Sequence, residues 1–319
     1  MVNNMPEKRK PKKPVNRKIK YCKINDCDVI DKESLRKFRK KRVHWFKWLY
    51  NDLNSIENQI VSLVWDYGIF LVVNELRRLA EDNPKSGIGF NSDIIDFFDR
   101  SFVTMQTVGI RRIIDKSSLN EKKNKENEKR AVISLPKIIQ DISNHIDLIT
   151  RENYICYNGL PYELTPESDD LNKLLHNERH KNFDLLAATE PGMRSRGEFI
   201  KVDILYKFKK EIDKCENVKT IVDKFIAHAA APETIKLLSA EEKSVTLAQL
   251  KSYHIIIYQV ARFISYNILS EAIGGLPVPQ YNLLENLDKK WGDKEDLEQA
   301  QEKWDEFGEE IRGWQFSSH

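Results

Sequence analysis

The chain has 319 residues, of which 40% are hydrophobic and 32% charged, with a formal net charge of +3. This length suffices for one large domain or two ordinary ones, and the composition suits helices with one buried stripe and a charged outer face. Only 12 glycines and 11 prolines are present, which disfavours a β-rich chain with many tight turns.

Four scattered cysteines, and a basic N-terminus that no apolar stretch follows, predict reduced thiols in a cytoplasmic protein. The most apolar window, 60–73, is short for a membrane span and contains Asp66. We therefore expect a buried core helix there and no association with a membrane.

The positive charge is concentrated at the N-terminus, where residues 1–20 hold eight Lys or Arg side chains and one acid, Glu7. Together with three prolines, this charge predicts a basic, disordered arm over residues 1–30. Such an arm either contacts nucleic acid through phosphates or serves as a solubilising tail. The candidate nucleic-acid contacts in it are Lys8, Arg9, Lys10, Lys12 and Lys13.

A first helix is predicted to begin at Asp31, with apolar residues from Leu35 to Leu49 at helical spacing. Its outer face is basic and interleaved with aromatic residues. A nucleic-acid surface has this pattern, and so, more commonly, does a solvated face whose long cationic side chains lie along apolar surface. The candidate contacts on this helix are Arg36, Arg39, Lys40 and Arg42.

Apolar periodicity predicts the remaining helices. They cover 56–81, 93–115, a segment from Pro136, about 197–215, 218–230, 246–271 and a last acidic helix from about 293. Turn-forming residues at 83–87, a cap at Asn91 or Ser92, a polar loop at 116–130 and Gly274-Gly275 mark their ends. The pattern weakens between about 150 and 195, which predicts a loop-rich insertion. The narrow apolar seam of the last helix is expected to pack on the body.

Two pairs of side chains have partial metal-site spacing. Cys22 and Cys27 have no second pair at finger or ribbon distance, and His176 and His180 lack the glutamate that follows the first histidine in metalloprotease helices. The sequence therefore predicts no metal site and no cofactor.

One segment resembles a known family. Residues 221–228, I-V-D-K-F-I-A-H, are similar to the R-N/D-K-x-x-A-H signature of HEPN domains, antiparallel helical bundles of bacterial defence, toxin and RNA-processing proteins. The nearest branch is the abortive-infection, AbiU-like one. Residues 110–115, I-R-R-I-I-D, resemble its L-x-R-L-x-D, and 134–139 resemble the helix start after it. The resemblance spans about 55–272, and 153–163 and 277–281 resemble uncharacterised bacterial proteins.

The resemblance implies a chemistry. In nuclease members of the family an arginine and a histidine act together on RNA without a metal, usually at a dimer interface. His228 stands at the histidine position, with Asp223 and Lys224 in the motif, but Val222 occupies the arginine position. Arg111 and Arg112 are the candidates to replace that arginine. The alternative for His228 is a core histidine, hydrogen-bonded between helices.

We therefore expect an all-α, antiparallel helical bundle of the HEPN type over 31–275, with a loop-rich insertion, followed by a linker and C-terminal helix over 276–319. The leading hypothesis is a bacterial defence or stress protein that binds RNA or a nucleotide with weak or no catalysis. The alternatives are a metal-independent endoribonuclease that uses His228, and a non-enzymatic partner-binding scaffold. A homodimer is compatible with each of them.

Overall fold

The computed structural model describes residues 19, 21–50, 54–81, 92–119, 132–228, 230–272, 276, 284–285, 287 and 294–312. Their regular structure is helical, apart from an isolated antiparallel bridge between Thr150 and Phe199. The all-α class predicted from the sequence is confirmed, and the HEPN-type arrangement stays a prediction. The chain divides into two compact units, Met1–Pro277 and Val278–His319.

The helices of the first unit follow one another in chain order. They are α1 (Lys32–Tyr50), α2 (Ile56–Glu81), α3 (Ser92–Ile113), α4 (Leu135–Ser143), α5 (Arg151–Cys156), α6 (Asp170–Ala187), α7 (Val202–Asp213), α8 (Asn217–Ile221), α9 (Pro232–Lys236), α10 (Ala240–Lys243) and α11 (Leu247–Phe263). Two of them continue as π-helices, α8 through Val222–Ile226 and α11 through Ile264–Ile268. The second unit contains α12 (Lys294–Arg312).

Several sequence predictions lie outside the described residues. They concern residues 1–18 and 20 of the basic arm, with Lys8, Arg9, Lys10, Lys12 and Lys13, the turn at 83–87, the cap at Asn91, the greater part of the loop at 116–130, Gly274-Gly275 and the segment 277–281. The last part of the predicted disordered arm, 21–30, is instead folded: it contains the 3-10 helix Ile24–Asp26, and Cys27 and Val29 are buried. Of the loop, Ser117–Leu119 form a short 3-10 helix.

The first helix, α1, begins as predicted. The Asp31 carboxylate accepts hydrogen bonds from the backbone N–H groups of Glu33 and Ser34, both at 2.9 Å, which satisfies two free donors of the first turn. The apolar stripe of α1 is buried in the core, with Leu35, Phe38, Trp45, Phe46 and Leu49 among its members. Helical periodicity identified this helix because its buried face is largely apolar.

Helix α2, which contains the apolar window 60–73, is not the fully buried core helix that the sequence predicts. Ile56, Ile60 and Leu63 at the start of α2 are buried, and α3 comes so close there that a Cβ on Gly109 would lie 2.5 Å from the Leu63 side chain. Farther along α2 the apolar residues are half-buried or exposed, and only 17% of its most apolar window is buried. The core therefore buries fully only the first turns of α2, while Val64, Tyr67 and Phe70 pack against its edge.

Among the described residues, α2 over Ile56–Leu79 is long and apolar enough to cross a membrane by length and composition.

The segment 150–195 is not the loop-rich insertion that the sequence predicts. It contains α5, whose six residues are all buried, and the 18-residue α6. Backbone N–H groups of Arg151 and Glu152 donate to the carbonyl oxygens of Glu198 and Arg196 at 2.9 and 3.0 Å, which joins α5 to the loop before α7. The buried side of α6 includes polar Arg179, so the apolar period that normally marks a helix is weak.

Three helix ends differ from those predicted from the sequence. The predicted helix 218–230 ends as a π-helix at Ile226, and α7 begins at Val202 rather than near 197. The helix that contains α11 stops before the two glycines because Ser270 adopts φ 51°, a left-handed conformation that ends helices. The Glu271 N–H then donates to the Ser265 carbonyl oxygen at 3.0 Å.

In the second unit, α12 has no buried residue. Its apolar seam includes the exposed side chains of Leu297, Trp304, Phe307 and Ile311. The predicted packing of this seam on the body stays a prediction.

A buried hydrogen bond between α3 and α11 makes the stability of the fold depend on pH. Gln106 uses its amide nitrogen to donate to the Leu63 carbonyl oxygen at 3.1 Å, so its amide oxygen accepts from His254 Nε2 at 2.8 Å. Burial lowers the pKa of His254 to about 4, below the value of about 6.5 in an unfolded chain. Between these values the unfolded state binds the extra proton, so acid favours unfolding.

We expect His254→Gln to remove about 3 kcal/mol of acid-induced destabilisation between about pH 6.5 and pH 4. Urea unfolding at a series of pH values measures this. The variant should keep the pH dependence due to His180, whose pKa is lowered to about 4 chiefly by burial and also by His176 and Arg194. A variant whose stability changes with pH as the wild type's does would show that His254 is not the titrating group.

Candidate functional site

The motif resembling the HEPN signature lies where α8 changes into a π-helix. The Ala227 N–H donates to the Val222 carbonyl oxygen at 2.7 Å, a bond that spans five residues and widens the turn. Such π turns occur often at functional sites, because the extra residue changes the direction of the side chains that follow. Asp223 and Lys224 on this turn are half-buried.

His228 is exposed, two residues beyond the end of the π-helix. It is therefore not the core histidine of the alternative interpretation. An exposed imidazole at this position is accessible to a ligand in solvent. Within the described residues His228 and Arg111 do not hydrogen-bond to each other.

Val222, at the position of the family's arginine, is 7% exposed and belongs to the hydrophobic core. Together with Val218 and Ile221 it forms one buried helical face, so this position points to the interior. An arginine there would have to bury its charge, so the fold itself accounts for the apolar residue.

Arg111 is the arginine that α3 brings to the motif. Its Nη2 lies 3.5 Å from Asp223 Oδ1, and its Nη1 lies 3.5 Å from Asp115 Oδ2. Its Nε is buried without a hydrogen-bond partner. Arg112, which occupies the arginine position of the L-x-R-L-x-D resemblance, instead donates to Asn54 Oδ1 at 3.2 Å and lines a separate groove.

A cleft of about 310 Å³ opens beside Arg111, between the end of α3 and the start of α8. Two of its cations, Lys116 and Lys219, were not singled out from the sequence. Both belong to charged stretches with no motif, so their only sequence signal is proximity to Arg111 and to Asp223. The lining residues are Arg111, Ile114, Asp115, Lys116, Ser117, Glu216 and Lys219.

Charges in the cleft are balanced by close pairing. Lys116 Nζ lies 2.6 Å from Asp213 Oδ1 and 2.5 Å from Glu216 Oε1. Burial acts against its charge, but the hydrogen bonds with Asp213 and Glu216 raise the pKa of Lys116. Lys116 is therefore fixed in place, whereas Lys219 is exposed. Arg111 and Lys219 are the cationic groups that an anion reaches at the lowest cost.

The candidate nucleic-acid contacts on α1 fall into two sets. Arg36 and Lys40 are exposed, as a surface role requires. Arg39 and Arg42 are buried and donate to backbone carbonyl oxygens and neighbouring side chains, so they do not form part of that surface. The periodicity of α1 places both of them beside its apolar stripe.

The two histidines whose spacing partly matches a metal site lie next to each other, but within the described residues no third ligand joins them. His176 and His180 face each other with Nε2 atoms 3.3 Å apart, and His176 Nε2 lies 2.7 Å from the Tyr162 carbonyl oxygen. In the part of the chain that the structure describes, no group of three or more His, Cys, Asp or Glu side chains is placed to hold a metal ion.

No family model matches the chain, and no curated protein or solved structure is significantly similar to it. The structure therefore defines the class only as an all-α protein, with a cleft next to a π-helix. The finer family assignment rests on the residues of the motif.

Two neighbouring substitutions separate the buried and the open parts of the motif. We expect Val222→Arg to lower the free energy of unfolding by about 3 kcal/mol, because it buries an unpaired guanidinium. We expect Asp223→Asn to cost less than about 1 kcal/mol, because its contact with Arg111 is long and partly exposed. Chemical denaturation measures both changes. A fully stable Val222→Arg variant would show that this position accepts an arginine.

Proposed function

We propose that this chain is an HEPN-like bacterial defence or stress protein that binds RNA, with weak or no catalysis. The phosphate-binding site is the cleft beside Arg111, and Arg111 connects this cleft to Asp223 of the motif. The observation that carries the proposal is the contact between Arg111 and Asp223, because it puts a guanidinium next to a motif that has lost its own arginine.

The state of Arg111 supports phosphate binding. Both of its carboxylate contacts are 3.5 Å long, whereas a guanidinium bound to a phosphate forms bonds of about 2.7–2.9 Å. Its Nε has no partner. A phosphate in the cleft therefore offers Arg111 shorter bonds than it has with Asp115 and Asp223.

The surrounding charges limit the affinity. Asp115, Glu216 and Asp223 lie near the cations and repel a polyanion. Binding at this cleft is therefore modest and depends steeply on salt, because each phosphate contact releases counterions. The exposed Arg36 and Lys40 on α1 offer further phosphate contacts.

We expect Arg111→Gln to weaken binding of a single-stranded RNA about tenfold at low salt. The slope of log affinity against log salt should fall by about 0.7, the value for one contact on a single strand. Fluorescence anisotropy across a salt series measures both quantities. The reason is that one charge-assisted phosphate contact is lost.

Arg112→Gln is the matched control, because Arg112 is the adjacent arginine and faces Asn54 in another groove. It should bind RNA as the wild type does. Equal losses in the two variants would exclude the cleft as the phosphate site, and no binding at low salt would exclude the proposed function.

The exposure of His228 favours a second function, a metal-independent endoribonuclease. In that reaction the ribose 2′-oxygen attacks phosphorus while the 5′-oxygen leaves. An imidazole removes the proton from the 2′-hydroxyl or supplies one to the leaving oxygen, and a guanidinium stabilises the extra charge on the phosphate. The products end in a 2′,3′-cyclic phosphate and a 5′-hydroxyl.

If the chain cleaves RNA, we expect His228→Ala to lower the rate at least about a hundredfold, the usual contribution of a proton-transfer group. EDTA should have no effect. Gel analysis of end-labelled RNA, with chemical identification of the cyclic phosphate, measures the reaction.

His44→Ala is the control, because His44 is an exposed histidine on α1. It should cleave RNA at the wild-type rate. Undiminished cleavage by His228→Ala would exclude His228 from the reaction.

A further inference from the structure

Cys22 and Cys27 flank the short 3-10 helix Ile24–Asp26, which folds the chain back so that the two side chains meet. Their Sγ atoms lie 3.0 Å apart. A disulfide bond measures about 2.05 Å, so the sulfurs need to approach by only about 1 Å to become bonded. The backbone of this segment therefore already brings the two thiols together.

A buried guanidinium contacts both sulfurs. Arg39 Nη2 lies 3.1 Å from Cys22 Sγ and 2.9 Å from Cys27 Sγ. Its other nitrogens donate to the backbone carbonyl oxygens of Cys22 and Tyr157 at 3.0 and 2.6 Å. These two hydrogen bonds therefore fix the guanidinium against the two sulfurs.

Arg39 is 7% exposed, and among the described residues no carboxylate lies within ion-pair distance of it. A buried cation without a counter-charge is unfavourable. The nearest groups able to become negative are the two thiols. Arg39 therefore lies where it can stabilise the negative charge on either sulfur when that sulfur loses its proton in a reaction.

The two cysteines differ in access. Cys22 is half-buried. Gly159, at φ 97°, packs so closely against it that a Cβ on this glycine would lie 2.8 Å from the Cys22 sulfur. Cys27 is 3% exposed, and burial together with the Cys22 thiol raises its pKa against the opposing effect of Arg39. Cys22 is thus the more accessible residue of the pair, and we assign the first reaction with a small oxidant to it.

The remaining two cysteines lack this environment. Burial, followed by the nearby charges of Asp28 and Glu152, raises the pKa of Cys156 to about 12. Burial, followed by Glu216 and Glu211, does the same for Cys215. Both thiols are therefore inert internal references in the same protein.

We propose that Cys22 and Cys27 are an oxidative modification site, which hydrogen peroxide converts into an intramolecular disulfide. The Cys22 sulfur attacks one peroxide oxygen, the O–O bond breaks, and the leaving hydroxide takes up the thiol proton as water. The Cys27 sulfur then attacks the Cys22 sulfenic acid. The S–S bond forms, the S–O bond breaks, and the oxygen leaves as a second water with the Cys27 proton.

The sequence predicts reduced thiols, and the spacing of Cys22 and Cys27 only partly matches a zinc site. A guanidinium that touches both sulfurs repels a metal cation, and no further metal-type ligand joins the pair within the described residues. The same guanidinium lies where it can stabilise the negative charge on the sulfur that attacks a peroxide.

The test treats the full-length protein with hydrogen peroxide, alkylates the remaining thiols under native conditions and digests the product with trypsin. Cleavage after Lys20, Lys23 and Lys32 separates the two cysteines, so a disulfide appears as peptide 21–23 joined to peptide 24–32. We expect this product to form at least about tenfold faster than any oxidation of Cys156 or Cys215. Reduction should release the two peptides.

Matched variants assign the chemistry. Cys22→Ser and Cys27→Ser should each abolish the linked peptide. Arg39→Lys should slow its formation about tenfold, because a lysine lacks the further nitrogens that hold the guanidinium on the Cys22 and Tyr157 carbonyl oxygens, against the two sulfurs. Arg36→Lys, on the exposed side of α1, should react as the wild type. Circular dichroism checks that each variant is folded.

Two outcomes would overturn the proposal. One is oxidation of Cys156 or Cys215 at the same rate as the pair in the folded wild type. The other is a folded wild type that gives no linked peptide while its Cys22 is alkylated or oxidised singly. The two serine variants keep the test decisive if Arg39→Lys fails to fold.

Discussion

Buried arginines are the constraint on which the first unit depends. Arg151 is 0% exposed and lies 2.8 Å from Asp184 Oδ1 and 2.6 Å from Glu198 Oε2, so it joins α5 to α6 and to the loop before α7. Arg42 of α1 pairs with Glu271 after α11 at 2.7 Å. Because removing one partner of a buried pair leaves an uncompensated charge, each pair fixes segments that are distant in sequence.

Tyr157 extends this arrangement. The guanidinium of Arg42 lies 3.9 Å from its ring centre and that of Arg179 lies 4.3 Å from it. Arg179 also donates to the Ile155 carbonyl oxygen at 2.6 Å. Burial lowers the pKa of Arg179, although the nearby tyrosines oppose this. One aromatic ring after α5 thus contacts cations from α1 and α6, which positions both helices around α5.

The burial of charged side chains also explains which helices could be predicted from the sequence and which could not. Helices α1, α2, α3 and α11 bury aliphatic and aromatic residues, at least over part of their length, so apolar periodicity located them within a few residues. Segment 150–195 was expected to be loop-rich because the buried positions of α5 and α6 include Arg151, Arg179 and His180. A pattern that counts charged residues as exposed cannot detect such a helix.

The candidate site shows a second limit. The motif Asp223–His228 was identifiable from residue types, and the π-helix places it as a solvent-accessible turn. The choice between Arg111 and Arg112 was not identifiable, because adjacent helical residues point about 100° apart and the direction of each partner depends on tertiary packing. Lys219 needed the fold as well, since it reaches Arg111 only through the contact between α3 and α8, whereas Lys116 follows Arg111 closely in the chain.

The partners of each arginine separate structural from reactive positions. Arg151 meets two carboxylates at short distance, so its charge is neutralised and its donors are engaged. Arg111 has only long contacts and an unpartnered Nε, and Arg39 has two thiols in place of a carboxylate. An incompletely neutralised guanidinium strengthens whatever negative charge comes next to it. We propose that this charge belongs to an incoming phosphate at Arg111, and to a reacting sulfur of the protein itself at Arg39.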